Sequence, residues 1–135
     1  MNIDEAVHLS RSFGLAFRRC EEQRPLASGH GEMPMVPAIV CAAFSVELGL
    51  KALALKEGHE PWGHELATLF GDVSARARAS IVARVGVPHN RFDQCLKAAS
   101  RAFDRWRYVY ERDAATVDLA FLRSLQKAVE EELSK

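Results

Sequence analysis

From Ala38 to Glu57 the chain reads AIVCAAFSVELGLKALALKE, and its apolar residues cover the helical circumference rather than a stripe. A helix of that kind is surrounded by protein, so this segment is expected to be the central helix of the fold. At about 1.5 Å per residue its length reaches roughly 30 Å, enough to span a membrane. Glu47 and Lys51, charges in its middle, oppose that reading and favour a core helix. Pro37 suits the first turn, where a missing N–H costs nothing, and Gly58 suits a left-handed ending. Gly49 lowers helix propensity from within and points to a neighbouring helix crossing close by.

The flanking segments repeat their apolar residues at helical spacing. A first helix is expected from Ile3 to about Gln23, with Ala6, Leu9, Phe13, Phe17 and Cys20 on one face. Asn2 and Glu5 have the spacing of a capping box, Asp4 favours the positive helix end, and Pro25 closes the segment. Pro25 to Pro37 has neither helical nor strand period and is expected to be a loop, made more apolar than a plain linker by Met33, Met35 and Val36. After the turn set by Gly58, Pro61 and Gly63, His64 to Phe70 reads as a short helix burying Leu66, Leu69 and Phe70. A third helix follows from Asp72, its candidate cap, to Val85, with Val73, Ala77, Ile81 and Val85 inward. Gly86 and Pro88 break it. Asn90 is the expected cap of a long fourth helix, in which Phe92, Leu96, Ala99, Phe103, Trp106 and Tyr110 form a bundle seam. The last helix is expected from near Thr116, with Asp118 in its first turn and Phe121, Leu122, Leu125, Val129 and Leu133 buried. No strand pattern appears, so the class is all-α.

Residues 1–135 fit one domain of ordinary size, with 48% of its residues hydrophobic and enough of them to build a core. Eighteen Lys and Arg balance eighteen Asp and Glu. Affinity for nucleic acid must therefore come from local patches rather than from the field of the whole molecule. Cys20, Cys41 and Cys95 are an odd set without C-x-x-C spacing, each on an apolar helical face, and read as buried free thiols in a reducing compartment. The N-terminal MNIDEAVHLS carries acids and no apolar core, unlike a secretory signal or a membrane anchor. A cytoplasmic location is expected.

Three stretches in order carry a family resemblance: SVELGLKAL from Ser45 to Leu53, GHEL-x-x-L from Gly63 to Leu69, and F-x-x-WRY-x-YE from Phe103 to Glu111. Together they resemble the HEPN superfamily of small helical bundles. The resemblance implies an antiparallel four-to-five-helix bundle, commonly dimeric, found in bacterial toxin–antitoxin and defence systems, with many members acting as metal-independent RNases. Nuclease members carry R-x(4–6)-H on the helix corresponding to the fourth one here, with a polar residue after the arginine. The matching position is Arg107, which is followed by Tyr108, and no histidine occurs after His89. Arg24 to His30 and Arg84 to His89 fit the spacing by chance, each across a Pro-containing break. The missing histidine counts against RNase activity.

Two readings stand for the fourth helix. Arg107, with Asp104 three residues before and Glu111 four after, is either an ion-pair network reaching Glu47 or Lys51, or the variant of a nucleic-acid groove in which Arg107, Tyr108 and Glu111 are the catalytic candidates. Arg101, Arg105, Tyr108 and Arg112 recur at steps of four, three and four, a mix able to grip phosphates and stack a base, or else a solvated face. Glu47 and Lys51 lie one turn apart and are expected to meet each other or Arg107, and His64 is expected to cap its short helix or to bond a buried partner. These residues, with Asp104 and Glu111, form the expected structural polar network.

No metal site is expected. Glu5-x-x-His8 lacks the second pair a di-iron bundle needs, and His59 and His64 lack cysteine support for zinc. No phosphate loop or nucleophile elbow occurs, and no cofactor is expected. The sequence therefore points first to a degenerate or divergent HEPN-like domain that binds RNA, a nucleotide or a cognate partner protein. Its alternatives are a ribonuclease toxin with a divergent site and a structural homodimerisation module. A homodimer is expected and a membrane is not.

Overall fold

The computed structural model describes residues 1–22, 24, 25, 27, 28, 31, 32, 35–104 and 118–135, with 24, 25, 31, 32 and 102–104 as backbone only. Six helices form among them: α1 (Ile3–Glu21), α2 (Met35–Lys56), α3 (Leu66–Asp72), α4 (Ala75–Val85), α5 (His89–Asp104) and α6 (Leu119–Leu133). A two-residue antiparallel pairing, β1 (Arg24–Pro25) with β2 (Gly31–Glu32), lies in the segment expected to be pure loop. The fold is an all-α helical bundle.

α2 is the core helix. It starts at Met35, so Pro37 still sits in the first turn, where its ring demands no broken bond. Thirteen of its residues are buried, from Ala38 to Ala54, and α1, α3, α5 and α6 all pack on it. By length and composition it could cross a membrane, but most of it is enclosed by these helices, as a bundle core requires. It ends as expected: Gly58 takes φ +80°, and the N–H of His59 reaches back to the carbonyl of Ala54.

α1 opens with the expected capping box. The Asn2 side chain accepts from the Glu5 N–H, and the Glu5 carboxylate accepts from the Asn2 N–H. Its inward face differs from the apolar count. Ala6, Ser10, Gly14 and Phe17 are buried, whereas Leu9 is 38% exposed. Small residues face α2 here because the two helices run antiparallel at close range. The Ser10 hydroxyl donates to the Ser45 carbonyl, and the Ser45 hydroxyl donates to the Ser10 carbonyl, each at 2.7 Å. α6 joins from the third side, with Gln126 Nε2 donating to Ser45 Oγ at 3.2 Å. It runs in the same direction as α2, Gln126 reaching Ser45 near their middles and the Leu133 carbonyl accepting from Lys56 at their ends. A side chain on Gly49 would meet Val129 and Ser10, and one on Gly14 would meet Gln126 and Ser45.

Elsewhere the apolar pattern and the observed core agree, while caps shift. Leu66, Leu69 and Phe70 are buried in α3, which starts two residues later than expected. Asp72 ends α3 rather than capping α4, whose cap is Ser74, its hydroxyl accepting from the Ala77 N–H at 3.3 Å. Gly86, at φ +78°, closes α4. α5 begins at His89, one residue before the expected cap Asn90, because the Pro88 carbonyl already accepts the N–H of Phe92. Phe92 joins Phe70 and Phe121 with ring centroids 5.2 and 5.5 Å apart, tying α3, α5 and α6 together. Asp118 is the cap of α6 rather than a first-turn residue, its carboxylate taking the Phe121 N–H. Phe103, Trp106, Tyr110 and Thr116 lie outside the residues whose side chains are described. The three cysteines are free but partly exposed rather than buried. Burial, the nearby Cys20 and a hydrogen bond to it together push the Cys41 thiol up.

α6 also meets α4 through polar contacts. Glu132 accepts from Ser80 at 2.8 Å and pairs with Lys135 at 3.0 Å, while Glu131 pairs with Arg84. Burial raises the Glu132 carboxyl, but the Ser80 hydroxyl, Lys135 and the field of Arg84 outweigh it and hold it below the ordinary value.

Two outcomes are expected. Gly49→Ala gains about 1 kcal/mol of helix propensity. It should nevertheless lower stability by a net amount on the order of 1 kcal/mol, because crowding against Val129 and Ser10 costs about 1–3 kcal/mol. Urea unfolding of the two proteins measures this. For Glu132, a depressed carboxyl contributes stability that is present above its unfolded pKa and lost as pH falls through its folded pKa. Glu132→Gln should therefore flatten the acid side of a melting temperature against pH curve while leaving the neutral-to-alkaline side parallel to the parent.

Candidate functional site

The polar contact that reaches from the core to the surface joins α2 to the segment before α3. Glu47 is 3% exposed among the apolar residues of α2, so its carboxylate needs a partner. That partner is His64, whose Nδ1 lies 2.8 Å from Glu47 Oε1. With Glu47 ionised, the carboxylate accepts a hydrogen bond from Nδ1–H and fixes the ring's tautomer. The imidazole itself is 74% exposed. The pair is thus a buried carboxylate orienting a solvent-facing imidazole.

Local sequence explains why His64 can stand there. Gly63 adopts φ +85°, a left-handed turn that a side chain would strain, and swings the chain back onto α2. Glu65, at the cap position of α3, makes no side-chain cap bond. Its place is taken from another helix: buried Ser100 of α5 accepts the Ala67 N–H at 3.0 Å. This bond ties the His64 segment to the end of α5, where the next residue is Arg101.

The expected site residues divide accordingly. Arg101 is exposed on α5, one turn from exposed Lys97. Among the described residues neither makes an ion pair. Lys51 is half-buried, and among the described residues no ion pair joins it to Glu47; the other expected partner, Arg107, lies outside them. A lysine stem can carry its ammonium out to water along apolar surface, whereas the shorter Glu47 cannot reach it and takes His64 instead. Arg105, Arg107, Tyr108, Glu111 and Arg112 lie outside the described residues, as does the side chain of Asp104.

Trp62 was not singled out by spacing. It is 88% exposed, two residues before His64, the largest side chain set so fully in solvent among the described residues. Its signal was the turn itself: a large aromatic between Pro61 and Gly63 has no helix or strand to bury it. No group of three or more His, Cys, Asp or Glu able to hold a metal occurs among the described residues.

Because His64 is mostly exposed, removing it costs little packing, and His64→Ala reports on Glu47 left buried without a donor. A loss of about 1–3 kcal/mol in urea unfolding is expected. His64→Gln, whose amide can donate to the carboxylate, should recover part of it. Compared with protein-family models, with curated proteins and with solved structures, the chain matches none of them.

Proposed function

We propose that this chain is a HEPN-like helical domain of a bacterial stress, defence or toxin–antitoxin system, acting as a non-catalytic or divergent RNA- or nucleotide-associated binding module. The observation that carries the reading is the contact between Glu47 and His64. It joins SVELGLKAL on α2 to GHEL before α3, two of the three stretches on which the family resemblance rests. A binding surface is supported by what surrounds this contact. The Ala67–Ser100 bond draws the segment bearing Trp62 and His64 toward the end of α5 that bears Arg101. An exposed indole offers a face for a base, and an exposed guanidinium offers a fork for phosphate.

The test is a time course of end-labelled tRNA and mRNA with the purified protein, free of metal, on denaturing and native gels. The expected result is a band shift without cleavage. Trp62→Ala combined with Arg101→Ala should weaken the shift by about tenfold or more, since base stacking alone is worth about 1–3 kcal/mol. Both side chains are exposed, so the melting temperature should hold. Cleavage that vanishes in Arg107→Ala would replace this reading with a working ribonuclease. Neither shift nor cleavage would sink the RNA reading in favour of a protein-interaction module.

A further inference from the structure

A second feature shares no residue with the Glu47–His64 contact. α4 packs mainly on α6, and α5 mainly on α3. Between α3, α4 and α5 a cleft of about 800 Å³ remains. Cavities of this size are ordinary for small-molecule sites, which run to about 300–1,000 Å³. Its width follows from the sequence of α4, where Ala75, Ala79 and Ala83 line it at every fourth residue and offer only methyl groups. Phe70 of α3 and Leu96 of α5 add apolar surface.

Arg78 also lines this cleft. Its Nε is buried and has no hydrogen-bond partner among the described residues. Native proteins rarely withdraw a guanidinium N–H from water without supplying an acceptor, so this arginine is short of hydration and gains from an anion bound beside it in the cleft. The two terminal Nη–H groups of a guanidinium can receive both oxygens of a carboxylate. Lys97 lines the cleft from α5 and provides a second cation. Asp93 provides one negative charge, with His89 at 4.0 Å from it. Two permanent cations against one carboxylate favour a monoanion and disfavour polyphosphates, whose added charge would face Asp93.

We propose that the cleft between α3, α4 and α5 binds a small organic monoanion, a carboxylate on an apolar body. The carboxylate pairs with Arg78 and Lys97, and the body lies along the alanine wall against Phe70 and Leu96. This site shares no residue with the surface at Trp62 and Arg101, although Lys97 lies one turn from Arg101, and it stands whether or not that surface binds RNA.

Calorimetric titration with 1-naphthoate and with submicellar decanoate tests it, beside uncharged decanol and adenosine monophosphate. Saturable one-to-one binding of either carboxylate is expected. Arg78→Met should weaken it about tenfold or more, since a charge-assisted bond is lost. Ala79→Leu, which narrows the cleft at its alanine wall and leaves every charge in place, should also weaken it about tenfold or more. Arg78→Met removes an unpaired buried N–H, so its melting temperature should equal or exceed that of the parent. In Ala79→Leu, unchanged far-ultraviolet dichroism should accompany the loss of binding. Carboxylate binding that survives both substitutions, decanol binding as tightly as decanoate, adenosine monophosphate binding while neither carboxylate does, or no binding at all would each overturn the proposal.

Discussion

The fold depends on how closely α1, α2 and α6 approach along one seam. Ser10 and Ser45 bond each other's backbone carbonyl at 2.7 Å, and Gln126 donates to the Ser45 hydroxyl. These polar atoms are buried, and each would cost free energy if left alone, so the bonds hold only at one register. Gly14 and Gly49 leave the space that makes the register reachable, since a side chain at either position would meet the partners of these bonds. A larger residue would push the helices apart and orphan three polar groups together. Apolar burial drives the association, and the seam selects which of many apolar registers is populated.

With α2 held in that register, Glu47 is carried into the interior two residues beyond Ser45. A buried carboxylate without a partner is far costlier than an exposed one. Its demand for a donor is what docks the segment after α2, through His64, and the left-handed turn at Gly63 lets the chain meet it. Ser100 then closes α3 onto α5 by accepting the Ala67 N–H. The surface carrying Trp62 and Arg101 is thus set by a chain of polar requirements that begins inside the core.

Much of the helical layout was legible because apolar periodicity reports burial directly. The inward residues of α3 and α6, and Phe92, Leu96 and Ala99 of α5, emerge from spacing alone. What spacing missed shares one cause. Ser10, Gly14 and Gln126 are buried for their small size or their hydrogen bonds, which a count of apolar residues assigns to solvent, and Leu9 was taken inward in their stead. Caps moved for a related reason. Asp72 and Ser74 offer the same chemistry two residues apart, and α3 ending on Asp72 leaves Ser74 to cap α4. Of the site, His64 was legible as bonding a buried partner, but its choice over Lys51 depends on which side chain can reach water. The cleft was not legible at all, because alanines at every fourth position read as helix propensity until the neighbouring helices are seen to leave them uncovered.

Zero net charge does not mean an even distribution. The acids of α6 and the end of α1 are taken up by cations: Glu130 by Arg18, Glu131 by Arg84, Glu132 by Lys135, and Glu21 by Arg123. Three of these pairs stitch α6 to α1 and α4, while Glu132–Lys135 lies at the end of α6 itself. Among the described residues Arg78, Lys97 and Arg101 have no such partners. A chain with no overall field gains nothing from long-range steering, so an anion must be recognised at contact. At Arg101, in open solvent, that contact is screened by salt. On the cleft wall, where the Arg78 Nε is already out of water, it is screened far less. The two arginines therefore suit different anions: a polyanion that gains from many weak contacts at the first, and a single well-placed charge at the second.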